Sequence, residues 1–221
     1  MISNYISNGS FEKHSGFGCP YFWWSLDTLN SHYTYLNVCN NTVPYQFNTV
    51  FQQPHSGNAF ILTTVYYAKS HIRGYPRNRL RKLLKKNSVY CVTFFVNIAN
   101  TSTYGIDGFG LFFGSSQLDT ITKYTIPLTY LTPQVSNPKG FSITDTLGWT
   151  MVTGTFVANG DEKYAFLGNF LANGAVDSVL INPAHFPAVF TDACFDDVSC
   201  IEMELPAYAG KDTAVMWGDS A

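Results

Sequence analysis

Glu202 and Glu204 are the residues of this sequence that come nearest to a catalytic carboxylate pair, since glycoside hydrolysis uses two such acids. They share one face of one predicted strand, about 7 Å apart, and read as a solvated strand end. No other reaction is signalled. There is no Gly-x-Ser-x-Gly elbow, no glycine-rich phosphate loop and no His-Glu-x-x-His, and the histidines His14, His32, His55, His71 and His185 are scattered. The chain is read as non-catalytic. The five cysteines show no CxxC pair and no zinc-finger spacing. Cys19 with Cys39 is the first expected bridge. Cys194 and Cys200 lie too far apart along one predicted strand to join each other, which leaves Cys91 as a partner for either, or three buried thiols acting as small hydrophobes.

The elements that must position any site are strands. From Val89 to Ile98, Tyr90, Val92, Phe94, Val96 and Ile98 share one face, and Cys91, Thr93 and Asn97 the other. Similar runs are predicted at 59–67, 108–113, 149–158, 163–170, 178–182 and 193–203, separated by Gly, Pro, Asn and Asp clusters. Residues 78–86 have good helix formers, but Pro76 and Asn87-Ser88 leave room for little more than two turns. That segment is read as a strand with a basic outer edge and a turn; the alternative is a short helix.

Composition narrows the class further. The 221 residues carry a net charge of -2, with 16% aromatic and 13% charged residues, which fits neither a disordered chain, nor a coiled coil, nor a basic nucleic-acid-binding domain. The apolar runs near 59–68 and 89–99 are too short to span a bilayer as helices. Charge is uneven: residues 28–106 hold eight Lys+Arg and no acid, whereas residues 107–221 hold four Lys+Arg and thirteen acids. Seven of the cations, Arg73, Arg77, Arg79, Arg81, Lys82, Lys85 and Lys86, fall together as a solvated edge or an anion patch. No charged-then-apolar leader opens the sequence, so the chain is intracellular or its leader lies outside this sequence. The low charge and dispersed cysteines favour the extracellular or cell-surface reading.

Five segments occur in a telling order: Asn8-Gly9-Ser10-Phe11-Glu12, Pro54-His55-Ser56-Gly57-Asn58-Ala59-Phe60, Tyr90 to Val96, Gly148 to Phe156, and Asp196-Asp197-Val198-Ser199. Together they resemble the galactose-binding-like jelly rolls, and more narrowly the carbohydrate-binding-module-like domains of secreted bacterial surface proteins. The resemblance implies an antiparallel β-sandwich of jelly-roll type over residues 1–204. Residues 205–221 read as a linker or the start of a following module. It also implies a structural Ca²⁺ where the first and last strands meet, held by Ser10, Glu12, Asp196 and Asp197, because calcium takes six to eight oxygens. By strand parity with Val198, Asp196 is expected to point inward and Asp197 outward.

In such modules sugars stack on aromatic faces, and Trp23, Trp24, Tyr33 and Tyr35 are the expected platform, with Asn97 and Asn169 hydrogen-bonding from the sheet. Core packing is the rival role for these aromatics. The expected function is therefore a calcium-stabilised carbohydrate-binding or adhesive module beside flanking modules of a larger chain, with polysaccharide as partner, no nucleic acid and no membrane span. A structural spacer or protein-interaction domain is the alternative.

Overall fold

The computed structural model describes residues 3–14, 22–24, 33–37, 50–69, 73–116, 118, 127–183 and 189–203. Among them run twelve strands: β1 (Trp23–Trp24), β2 (Tyr33–Asn37), β3 (Ala59–Tyr67), β4 (Arg77–Arg79), β5 (Val89–Ile98), β6 (Tyr104–Ile106), β7 (Phe109–Gly114), β8 (Val135–Ser136), β9 (Thr150–Val157), β10 (Tyr164–Asn169), β11 (Ser178–Leu180) and β12 (Phe190–Glu202). One single-turn 3₁₀ helix spans Asn173–Ala175. Two five-stranded antiparallel sheets, β2-β3-β12-β5-β9 and β1-β4-β10-β7-β8, form the sandwich, and β11 pairs with β6 beside them. The expected all-β class is borne out. The predicted strand positions hold to within a few residues.

Alternation explains the inner layer. Tyr90, Val92, Phe94, Val96 and Ile98 of β5 are all buried in the central core with Phe109, Leu111 and Phe113 of the facing sheet. Phe195 of β12 links the two sheets, meeting Phe94 at 6.4 Å and Phe109 at 6.0 Å between ring centroids. Several strands are also buried on their outer side. Leu36, Phe60, Leu62 and Cys194 form a second apolar cluster against Trp149, and Tyr75, Phe166, Phe170 and Leu128 form a third. Loops lie over both outer faces, which is why β3 is apolar at nearly every position rather than at alternate ones.

The basic stretch is strand and turn, not helix. The Asn78 side chain is fully buried and fixes it there: its amide donates to the Ser7 and Phe22 carbonyls, and its oxygen accepts the Ser7 N–H. Leu80 and Leu84 then turn inward. Of the two alternatives for these cysteines, a bridge to Cys91 or unpaired thiols, the second holds. Cys91, Cys194 and Cys200 are free thiols: Cys91 lies opposite Ile201, Cys194 opposite Asn97, and Cys200 opposite Val92 on the core side. Burial pushes the Cys200 thiol up to about 12, so it packs as a neutral hydrophobe. Cys19 and Cys39 lie outside the described residues, as do residues 205–221.

Truncating the bridging aromatic tests this core. Phe195→Ala is expected to cost roughly 3–5 kcal/mol, read as a lower midpoint in urea denaturation; an unchanged midpoint would contradict its place between the sheets.

Candidate functional site

The opening and closing motifs meet on one loop. In β12 the register slips between Asp196 and Ser199, and Asp197 takes a left-handed backbone, φ 48°, the signature of a bulge. The expectation drawn from parity is corrected here, because an extra residue in the strand puts neighbours of equal parity on opposite faces. Val198 is buried in the central core, whereas Asp196 turns outward, fully covered by the loop 54–58. Its Oδ2 accepts the His55 and Ser56 N–H groups at 2.9 and 3.3 Å, and its Oδ1 accepts the Asp197 N–H at 2.7 Å. Asp197 takes the His55 ring Nδ1 at 2.6 Å and the Ser56 hydroxyl at 2.9 Å. Glu12 Oε1 accepts the Asn58 and Ala59 N–H groups at 2.8 and 3.0 Å.

Two glycines make this approach possible. Gly57 has φ +62°, and a Cβ there would collide with Glu12 Oε1. A Cβ at Gly9 would collide with the Val198 carbonyl, whose own N–H bonds the Gly9 oxygen at 3.0 Å. Burial first, and then the neighbouring Asp197 charge, push the Asp196 carboxyl up to about 8 against the pull of the three amides.

Beside this clamp lies an outward aromatic group. The His55 ring stacks on Phe95 at 3.6 Å and 18°, and meets the edge of Trp149 at 6.1 Å. Trp149 is anchored through Nε1 to the Gln53 carbonyl. Met151, opposite Phe95 on β9, is 56% exposed. Further down the same face Thr93 and Thr153 share a hydroxyl contact of 3.0 Å, and the Ser199 hydroxyl points at the Thr93 carbonyl. The result is a sheet face with an aromatic end and a hydroxyl-bearing middle.

The residues expected to bind sugar are distributed differently. Trp23 is 1% exposed, packed on Phe11 and bonded through Nε1 to the Asn8 carbonyl, so it is a core residue. Trp24 lies on β1 and Tyr33 and Tyr35 on β2, strands of opposite sheets. Asn97 is buried and donates to the Gly148 and Asp145 carbonyls, holding the loop before β9. Asn169 is buried between the Asp107 carbonyl and the Arg73 guanidinium. Both asparagines are structural because neither reaches the surface.

Of the expected calcium set, Glu12, Asp196 and Asp197 each bond the loop 54–59, and Ser10 lines the same cleft as Glu12 and Asp197. Among the described residues no three His, Cys, Asp or Glu side chains stand where one ion would join them. His55, Phe95, Trp149 and Met151 were not expected at the site. The Pro54 to Phe60 motif marked the place, but alternation cannot show that a loop folds back over a bulge.

No family model and no curated protein matches this chain. Solved structures do. A cyclase from Fischerella sp. TAU, in complex with 4-(1H-indol-3-yl)butan-2-one, is 15% identical, with 94% of this chain and 100% of that one covered and a TM-score of 0.53. A CBM22-1–CBM22-2 tandem domain of Paenibacillus barcinonensis Xyn10C is 10% identical, with 92% of this chain and 50% of that one covered and a TM-score of 0.50. The chain folds as a jelly-roll sandwich like that of the CBM22 tandem domain. At these identities the likeness is one of fold, shared by a cyclase and by a CBM22 tandem domain alike.

The Asp196 carboxyl gives the jelly roll a pH signature. Unfolded, it loses its proton near about pH 4; folded, it keeps it to about 8. The folded chain therefore binds more protons in that window, and this group's contribution to stability falls as pH rises through it. Asp192, also pushed up by burial, adds in the same direction. In the presence of chelator, the urea midpoint is expected to fall between about pH 5 and about pH 8, with a shallower fall in Asp196→Asn. Equal slopes for the two proteins would contradict the assignment.

Proposed function

We propose that this chain is a non-catalytic carbohydrate-binding or adhesive module that holds a glycan on the outer face of β12, β5 and β9. The observation that carries this reading is the pairing, on one sheet face, of an aromatic end at His55, Phe95 and Trp149 with the hydroxyls of Thr93, Thr153 and Ser199. A pyranose offers an apolar C–H face to the first and a ring of hydroxyls to the second. The fold, shared with a CBM22 tandem domain, supports it. A binding role is favoured over catalysis because Asp196 is covered and both its oxygens are taken by amides. An extracellular or cell-surface setting beside flanking modules goes with this reading.

Calcium belongs to the same proposal. Glu12 and the Asp196–Asp197 pair bond one loop, with no lysine or arginine bonded to them among the described residues, and burial first, then the Asp197 charge, holds the proton on Asp196. Glu12, Asp197 and the Ser10 carbonyl, which line one cleft, would hold the ion, with Asp196 behind the loop and water completing the shell. It would supply the charge that the amides replace only in part.

The protein is expected to be retarded in neutral polysaccharide gels or retained on a glycan array, and Met151→Asp, at an exposed position, is expected to abolish this with the melting curve intact. Full binding by Met151→Asp would remove the face from consideration, and silence across a broad array would favour a spacer or protein-binding module. For calcium, a chelator should lower the melting temperature and Glu12→Ala should erase the difference; a melting curve unmoved by chelator would overturn the ion.

A further inference from the structure

At the end of the sandwich a cleft of about 1110 Å³ opens between the N-terminal segment 4–13 and the end of β4, and closes on the bulge at Asp197–Ser199. Leu80 is buried, so Arg79 and Arg81 on either side of it turn outward; both are exposed, as is Lys13, and all three line the cleft. Among the described residues none of the three has an ion pair. The acids of the cleft are already engaged, Glu12 by the amides of Asn58 and Ala59, and Asp197 by His55 and Ser56. Three cations with no ion pair among the described residues thus face one concave space that the exposed Phe22, Ser10 and Ser199 also line. This is part of the basic stretch that the sheet-face site leaves unused.

We infer that this cleft binds the carboxylate or sulfate groups of an acidic polysaccharide. The inference rests on the glycan-binding reading, since the cleft meets the proposed sheet face at Ser199. Lys and Arg form their strongest hydrogen bonds with such anions, and concave walls strengthen the attraction. A glycan suits it better than a nucleic acid. At Ser199 the cleft runs on to the hydroxyls of Thr93 and Thr153, which suit a ligand that carries hydroxyls beside its anionic groups better than one built on phosphodiesters.

The test is affinity electrophoresis of the whole chain through polygalacturonate, dextran sulfate, neutral dextran and neutral xylan, with a single-stranded oligonucleotide as a separate probe. The protein should be retarded most by the acidic polymers, less so as salt rises. The triple variant Lys13→Gln, Arg79→Gln, Arg81→Gln should lose about tenfold in affinity for them with an unchanged melting curve and unchanged retention on neutral glycans. Equal retardation of variant and parent by the acidic polymers would overturn the inference, as would an oligonucleotide bound as tightly as polygalacturonate. Retention by xylan alone would overturn it and leave the glycan-binding reading standing, whereas retardation by none of the polymers would overturn both.

Discussion

A carboxyl group with no exposure has to be satisfied from within the protein, and Asp196 is satisfied by a loop that is distant in sequence. The N–H groups of His55 and Ser56 reach it only because Gly57 adopts a left-handed turn and because Glu12 draws the far side of that loop down through Asn58 and Ala59. Glu12 reaches the loop because Gly9 lets the first segment lie against the Val198 backbone. His55 is set over Phe95 by the same contacts. The carboxylate, the two glycines and the aromatic face therefore form one arrangement, in which loss of any member releases the rest.

The sheets were largely legible in the sequence, and the site only in part. The alternation of β5 is the reason: its two faces meet different surroundings, so its side chains alternate and the pattern can be read. The asparagines misled because a polar residue in an apolar strand is as well explained by a covered hydrogen bond as by a ligand, and Asn97 and Asn169 have the former. Trp23 misled for a similar reason, since its N–H finds a partner in the Asn8 carbonyl without any exposure. Asp196 was placed at the right spot and on the wrong face. A strand that slips by one residue reverses every later orientation, and nothing in Asp-Asp-Val-Ser announces the slip. The cysteines follow the same logic, because pairing depends on register and face and not on separation along the chain.

Both outer faces of the sandwich carry apolar clusters beneath loops, and the face of β12, β5 and β9 keeps an open area beside its cluster. The cluster of Leu36, Phe60, Leu62 and Cys194 reaches Trp149, and from there the surface passes to Met151 and the threonines. A rigid sheet supporting an exposed strip is a favourable base for a ligand that orders few protein groups on binding. The cations of the cleft continue that strip around the edge of the sandwich.

Asn4 pairs with Ile201 in an isolated bridge, its side-chain oxygen accepts the Cys200 N–H at 2.9 Å, and the Tyr5 N–H reaches the Cys200 carbonyl at 2.8 Å. These contacts join residues almost two hundred positions apart. β12, which makes them, is also the strand between β3 and β5. A ribosome must therefore deliver nearly the whole domain before its central strand can enter the sheet, and until then β3 and β5 present open edges to each other and to neighbouring chains. The decisive step in folding this domain consequently waits on β12, and a chain interrupted before β12 is a species prone to aggregate rather than a smaller version of the fold.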